Sequence, residues 1–243
     1  FDAVDQRLAW LVDNGISPCI VGAWGYHLPW LGVERMQKHW RYLIARYGAW
    51  PVIWCAAGEG TMPYYLSKTA KEDAAMQKHG WTEVVRSMRR TDPYRRMITV
   101  HPSDTARHTV DDPSLLDFDM LQTGHSDRAS IPNTLRLIRE SRQAKPVMPA
   151  VVGEVCYEGI LDTCFEEIQR YMVWASFLSG TAGHTYGANG IWQVNRPGQP
   201  YGASPHGGNW GNRPWNDAMT LPGSRQTGLA AQLLQGLPWT QFE

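Results

Sequence analysis

Apolar positions along the chain fall into two rhythms that take turns. Val4, Leu8, Leu11 and Val12 recur at helical spacing and stop at Asn14-Gly15, a pair suited to ending a helix. Ile16 to Trp24 then runs apolar with strand character, although Pro18 removes a ladder donor. Val33, Met36, Trp40, Leu43, Ile44 and Tyr47 form a second helical stripe, closed by Gly48. The alternation continues through strands near 17–23, 52–58, 96–100, 118–122, 147–153 and 181–187, with helices over 82–90, 132–144, 164–178 and 224–236 between and after them.

Strand–helix alternation predicts an α/β protein with a parallel sheet covered by helices. Three βα units of about 32 residues separate the second strand from the fifth, the unit size of an eightfold barrel of roughly 250 residues. The expected fold is therefore an incomplete (β/α)8 TIM barrel with about six βα units, filling residues 1–243 as one partial domain. The segment 193–222 is rich in Gly, Pro and Asn and lacks periodicity. Connections of that length serve as lids or binding loops, which is the expectation here.

Composition narrows the function. Lys plus Arg and Asp plus Glu both number 23, so the net charge is zero and a nucleic-acid partner, which needs a basic surface, is disfavoured. No apolar run of about 18 residues occurs, so no membrane span is expected. Glycine patterns for dinucleotides or P-loop phosphates are absent, and no cofactor is expected. The four cysteines have no zinc spacing: Cys19 and Cys55 read as buried thiols, while Cys156 and Cys164 flank one loop and could bridge, leaving the redox compartment open. The chain starts at Phe1, inside an expected helix, and shows no signal peptide; compartment and oligomeric state are not readable.

Two glutamates carry the chemistry. Glu59 closes Val-Ile-Trp-Cys-Ala-Ala-Gly-Glu at 52–59, and Glu154 closes Val-Met-Pro-Ala-Val-Val-Gly-Glu at 147–154. In a barrel, strand ends three apart face each other across the mouth, so the pair suits glycoside hydrolysis, one carboxylic acid protonating the leaving oxygen and the other attacking carbon or activating water. Carboxyl groups about 5–5.5 Å apart would mean retention, and about 6.5–9.5 Å inversion. The plain alternative is that each caps a helix N-terminus. Glu158 competes with Glu154 but lies further into its loop, where it would position Tyr157 or a sugar hydroxyl.

His101, His125 and His184 lie in or just after strands and invite a metal reading, but no H-x-H or H-E-x-x-H occurs. Hydrogen bonding to a polyol, or orienting the glutamates, fits them better, and no metal ligand is assigned. Trp24-Gly-Tyr-His-Leu-Pro-Trp30 and Tyr186-Gly-Ala-Asn-Gly-Ile-Trp192 each place rings, amides and hydroxyls on a strand-end loop, as a sugar pocket requires. Most of the twelve tryptophans are otherwise explained by core packing. A serine hydrolase lacks its G-x-S-x-G turn.

Trp24-Gly-Tyr-His, Arg41-Tyr-Leu-Ile-Ala-Arg-Tyr-Gly-Ala-Trp-Pro-Val-Ile-Trp, Leu121-Gln-Thr-Gly-His, Gly153-Glu-Val-Cys-Tyr-Glu-Gly and Gly183-His-Thr-Tyr-Gly-Ala-Asn-Gly-Ile-Trp-Gln193 resemble the apiosidase-like glycoside hydrolases. The resemblance runs from Phe1 to about Trp239. It implies a retaining barrel glycosidase with Glu59 as acid/base, where the family also uses Asp, and Glu154 as nucleophile. Trp24, Tyr26, His27, His101, Gln122, His125, Tyr157, Glu158, Tyr186, Asn189 and Trp192 are the expected substrate-binding residues. It further implies a plant-type carbohydrate substrate such as pectin, secretion or a periplasmic location, and a first strand equal to the family's third, so that strands 3–8 are present and the piece is N-terminally incomplete. A non-catalytic sugar-binding barrel, an inactive fragment and a metal-dependent barrel hydrolase are the competing readings.

Overall fold

The computed structural model describes residues 1–205, 207–238 and 241; Trp239, near which the resemblance ends, lies outside the described residues. The chain divides into two compact units, Phe1–Met120 and Leu121–Glu243. In the first unit, α1 (Asp2–Asp13), β1 (Cys19–Val21), α2 (His27–Leu31), α3 (Val33–Tyr47), β2 (Ile53–Cys55), α4 (Ala70–Thr91) and β3 (Ile98–Thr99) follow one another. Strand β4 (Asp119–Gln122) runs across the division. The second unit continues with α5 (Ile131–Gln143), β5 (Ala150–Glu154), α6 (Glu166–Leu178), β6 (Gly183–His184), α7 (Trp215–Ala218) and α8 (Gly223–Gln235).

The strands form two three-stranded sheets, ordered β1-β2-β3 and β4-β5-β6. In the first, Ile20 pairs with Trp54 and Trp54 with Ile98, all parallel; in the second, Val151 pairs in parallel with Gly183. The fold is thus mixed α/β with parallel strands. All six expected strands occur, each shorter than its apolar run, because ladder pairing ends before the hydrophobic stretch does.

Helix α4 extends well upstream of the expected 82–90. Its first half is polar, so apolar spacing does not betray it, and Gly80 sits inside it. That glycine is required by packing: a Cβ there would stand 2.6 Å from Leu28 of α2. Helix α2 itself was expected as loop; Leu28, only 1 % exposed, is what docks it.

Trp40, Trp54, Trp81, Tyr47, Met36 and Met88 fill the core of the first unit. The Trp40 and Trp54 rings meet edge-on at 5.8 Å. Each indole N–H is satisfied, Trp40 donating to the Ala56 carbonyl (3.2 Å) and Trp54 to the Asp92 carboxylate (2.9 Å). Arg107 Nε donates to Asp119 at 2.9 Å in a buried ion pair. The second unit packs Leu121, Leu137, Ile138, Val152, Ile160, Ile168 and Met172 around β5.

Cys19 is exposed, not buried as expected, since it starts the outer strand β1; Cys55, Cys156 and Cys164 are buried. All four thiols are free, so the Cys156–Cys164 bridge does not form here. Among the described residues no helix is long and apolar enough to cross a membrane.

Two outcomes follow from this packing. Gly22 leaves its Cβ space to the Trp40 ring, which a methyl would meet at 2.2 Å. Gly22→Ala should therefore cost about 1–3 kcal/mol, read as a lower urea midpoint at unchanged slope. Burial drives the His184 pKa from 6.5 down to about 4. Between those values the unfolded chain binds the proton and the folded chain does not, so stability falls as pH drops from 6.5 towards 4. Melting curves across that window should show the loss, at most about 3 kcal/mol, and His184→Gln should flatten it.

Candidate active site

In the first unit the chemistry gathers where three parallel strands end. Beyond β1 and β2 the ladder continues through a bridge between Trp24 and Gly58. Gly58 N–H donates to the Ala23 carbonyl (2.8 Å), and Gly25 N–H donates to the Gly58 carbonyl (2.7 Å). On the other side His101 N–H donates to the Ala57 carbonyl (2.9 Å), and Gly60 N–H to the His101 carbonyl (3.0 Å). Trp24, Glu59 and His101 thus leave adjacent strands at one level.

The glycines around Glu59 are there for clearance. A Cβ at Gly25 would lie 2.2 Å from the Glu59 carbonyl oxygen, and one at Gly58 would lie 2.4 Å from the Trp24 ring. Glu59 itself is held at a φ of 42°, a left-handed conformation that costs a non-glycine residue about 1–2 kcal/mol. Backbone strain of this kind collects where a side chain must be aimed. The His27 ring is fixed too: its Nδ1 accepts from the Trp24 N–H (3.0 Å), which leaves Nε2 to carry the proton of the neutral ring.

In the second unit Glu154 is the last residue of β5 and is partly buried. Its Oε1 accepts from His125 Nε2 at 2.9 Å and from the Gln122 amide at 3.4 Å. The His125 ring stacks on Tyr157 at 5.1 Å with 17° between planes. Gln122, His125, Glu154 and Tyr157, four of the expected residues, are therefore one cluster.

Glu158, Tyr186 and Asn189, expected as ligand contacts, hydrogen-bond to the protein. Glu158 is fully buried; it accepts from the Tyr186 hydroxyl and from the Gly223 N–H that opens α8 (3.1 and 3.0 Å to its two oxygens). Burial raises the Glu158 pKa against the pull of those donors, and raises that of Tyr186 as well. Asn189, also fully buried, donates to the Trp210 carbonyl (2.6 Å) and accepts from Gln193 (2.7 Å). Asn195 continues the scheme, donating to the Arg213 carbonyl (3.1 Å) and accepting from the Tyr201 N–H (2.7 Å). These carboxylate and amide groups satisfy the backbone of segment 193–222, so that loop is tied down by buried polar anchors. Trp192 and Ile191 of this motif stay open, and Trp192, 46 % exposed, has Tyr201 at 6.0 Å.

Tyr64 and Tyr65, six and seven residues beyond Gly58, were missed; no apolar period marks the loop that holds them, and only proximity to Glu59 signals it. Among the described residues, no group of three or more His, Cys, Asp and Glu side chains could hold a metal ion. His184 is half-buried beside Ser176, whose hydroxyl lies 3.1 Å from Nδ1.

The fold has known counterparts. A glycoside hydrolase family 5 protein from Bacteroides vulgatus ATCC 8482 is similar over 98 % of this chain and 52 % of its own length, at 26 % identity and a TM-score of 0.78. A second solved glycoside hydrolase aligns over 98 % of this chain and 55 % of its own, at 24 % identity and a TM-score of 0.77. A Bifidobacterium dentium beta-glucuronidase, solved with coumarin-3-O-glucuronide, shares the fold more distantly, at 16 % identity and a TM-score of 0.53 over 87 % of this chain and 34 % of its own. The chain thus spans about half the length of the first two. A search of curated proteins finds no match. A family model described as apiosidase-like, catalytic domain, matches residues 1–241, and by that match the chain belongs to that family.

Proposed function

We propose that this chain is the working part of a retaining glycosidase that cleaves a glycosidic bond in a plant-type polysaccharide or oligosaccharide. Its six βα units count as strands 3–8 of a (β/α)8 barrel, and residues 1–243 act as one catalytic domain. Family membership and the glycoside hydrolase neighbours support hydrolysis of a sugar bond. The observation that carries the assignment of roles is the pair of donors on Glu154, His125 Nε2 at 2.9 Å and Gln122 at 3.4 Å. A nucleophile must be held with its carboxylate aimed at carbon, and these two donors fix where the Glu154 carboxylate points.

Glu154 attacks the anomeric carbon and the leaving oxygen departs with the proton of Glu59; water then enters, Glu59 takes its proton, and the glycosyl ester on Glu154 is hydrolysed. His125 and Gln122 position the nucleophile, and Tyr157 holds the His125 ring flat. Trp24, Tyr26, His27, His101 and Trp192 are the proposed sugar contacts. Glu158, Tyr186 and Asn189 are left out of that set because their polar atoms are spent on the protein. The carbohydrate is the only partner proposed, and secretion or a periplasmic location is proposed from the resemblance alone.

Three measurements test the reading. Glu154→Gln should abolish turnover of aryl glycosides, and Glu59→Gln should lower kcat/KM about 10²–10⁴-fold on alkyl glycosides but far less on dinitrophenyl glycosides, which leave without a proton. Equal losses on both substrates would overturn the acid/base role. Activity should survive dialysis against a chelator, whereas loss restored by a divalent ion would favour a metal-dependent hydrolase. Glu158→Ala should strand Gly223 N–H and the Tyr186 hydroxyl and lower stability by about 1–3 kcal/mol in thermal melts, with turnover per folded molecule largely kept.

A further inference from the structure

The first unit holds a ring cluster that core packing does not explain. Trp30 is 56 % exposed, yet Tyr26 and Tyr64 both lie 5.1 Å from it and His27 lies 5.7 Å away. Tyr26 also meets Tyr64 at 5.6 Å and Tyr65 at 6.1 Å, and the two loop tyrosines are 6.2 Å apart. Every one of these pairs is tilted or edge-on, with interplanar angles of 51° to 73°. None of these pairs is face-stacked. The cluster leaves its tryptophan more than half open.

The platform is also held in place. Met62 N–H donates to the Glu59 carbonyl (2.8 Å), and the fully buried Gln77 of α4 donates to the Met62 carbonyl (2.8 Å). Ser67 N–H donates to the Tyr64 carbonyl (2.9 Å). On the other side, buried Leu28 anchors the short helix that carries Trp30. The rings are therefore ordered before any ligand arrives, which spares binding the entropy of arranging them.

We propose that Tyr26, Trp30, Tyr64 and Tyr65 form a carbohydrate subsite for the leaving-group side of the substrate, the sugar whose glycosidic oxygen Glu59 protonates; this rests on the hydrolase reading above. The chemistry matches. One face of a pyranose presents C–H bonds of slight positive character, which suit the negative face of an indole or phenol ring. Tyrosine hydroxyls beside it can both donate to and accept from the sugar's own. The leaving-group side is assigned by continuity: the loop with Tyr64 and Tyr65 grows directly out of Glu59, and the loop with Tyr26 and Trp30 is clamped to it through Gly25 and Gly58.

The test uses the whole chain and two kinds of substrate. A glycosyl fluoride has a one-atom leaving group and leaves the subsite empty, whereas size-separated pectic oligosaccharides fill it. Trp30→Ala should raise KM on the oligosaccharides about tenfold, the effect of losing one aromatic contact, and leave turnover of the fluoride unchanged. Trp30→Phe should restore most of the loss, which also guards against misfolding. Calorimetric titration of Glu154→Gln with the same oligosaccharides should show binding that Trp30→Ala weakens to a similar degree. Equal loss on fluoride and oligosaccharide, no loss on either, or no binding by the Glu154→Gln parent would overturn the subsite. Binding that depends on Trp30 in a chain that hydrolyses nothing would keep the sugar site and sink the hydrolase reading instead.

Discussion

The rest depends on one constraint: an acidic side chain that ends a buried parallel strand must be met by donors or by solvent at that end. Each unit answers this in its own way. In the second, Glu154 closes β5 and its carboxylate is engaged by His125 and Gln122. In the first, Glu59 stands between two glycines, with its backbone turned to a φ of 42°. A chain selected for stability alone would end both strands in uncharged residues and avoid the strained turn. An acidic side chain at a strand end in both units, with backbone strain added at Glu59, is the physical reason to look for chemistry there.

Much of the fold is legible because buried parallel strands leave compact apolar runs. The runs at 52–58 and 147–153 mark β2 and β5, and Glu59 and Glu154 follow from them. What hides is the structure whose stability comes from tertiary contact. The first half of α4 is polar, and Gly80 within it reads as a breaker until Leu28 is seen to rest on it. Helix α2 contains a proline and spans five residues, too short for any periodicity to show.

The site divides along similar lines. Trp24, Tyr26, His27 and His101 fall at strand ends in the first unit, and Gln122, His125, Glu154 and Tyr157 cluster in the second. The Tyr186 to Trp192 motif is open to two uses, because glycine, amide and ring residues suit a sugar pocket and a buried loop anchor equally well. Only burial separates the two uses: Glu158 and Asn189 are wholly enclosed and spend their polar atoms on Gly223, Trp210 and Gln193. Tyr64 and Tyr65 carry no pattern of their own; their meaning comes from the rings around them.

The central claim is that Glu154 forms a covalent bond to the sugar. Incubation with a panel of 2-deoxy-2-fluoroglycosyl fluorides slows the breakdown of any such ester enough for it to accumulate, and peptide mass spectrometry then locates it. The account expects a single fluoroglycosyl adduct on Glu154, absent from Glu154→Gln. An adduct on Glu59 or Glu158, or turnover of these reagents' parent glycosides with inverted products and no adduct at all, would contradict it.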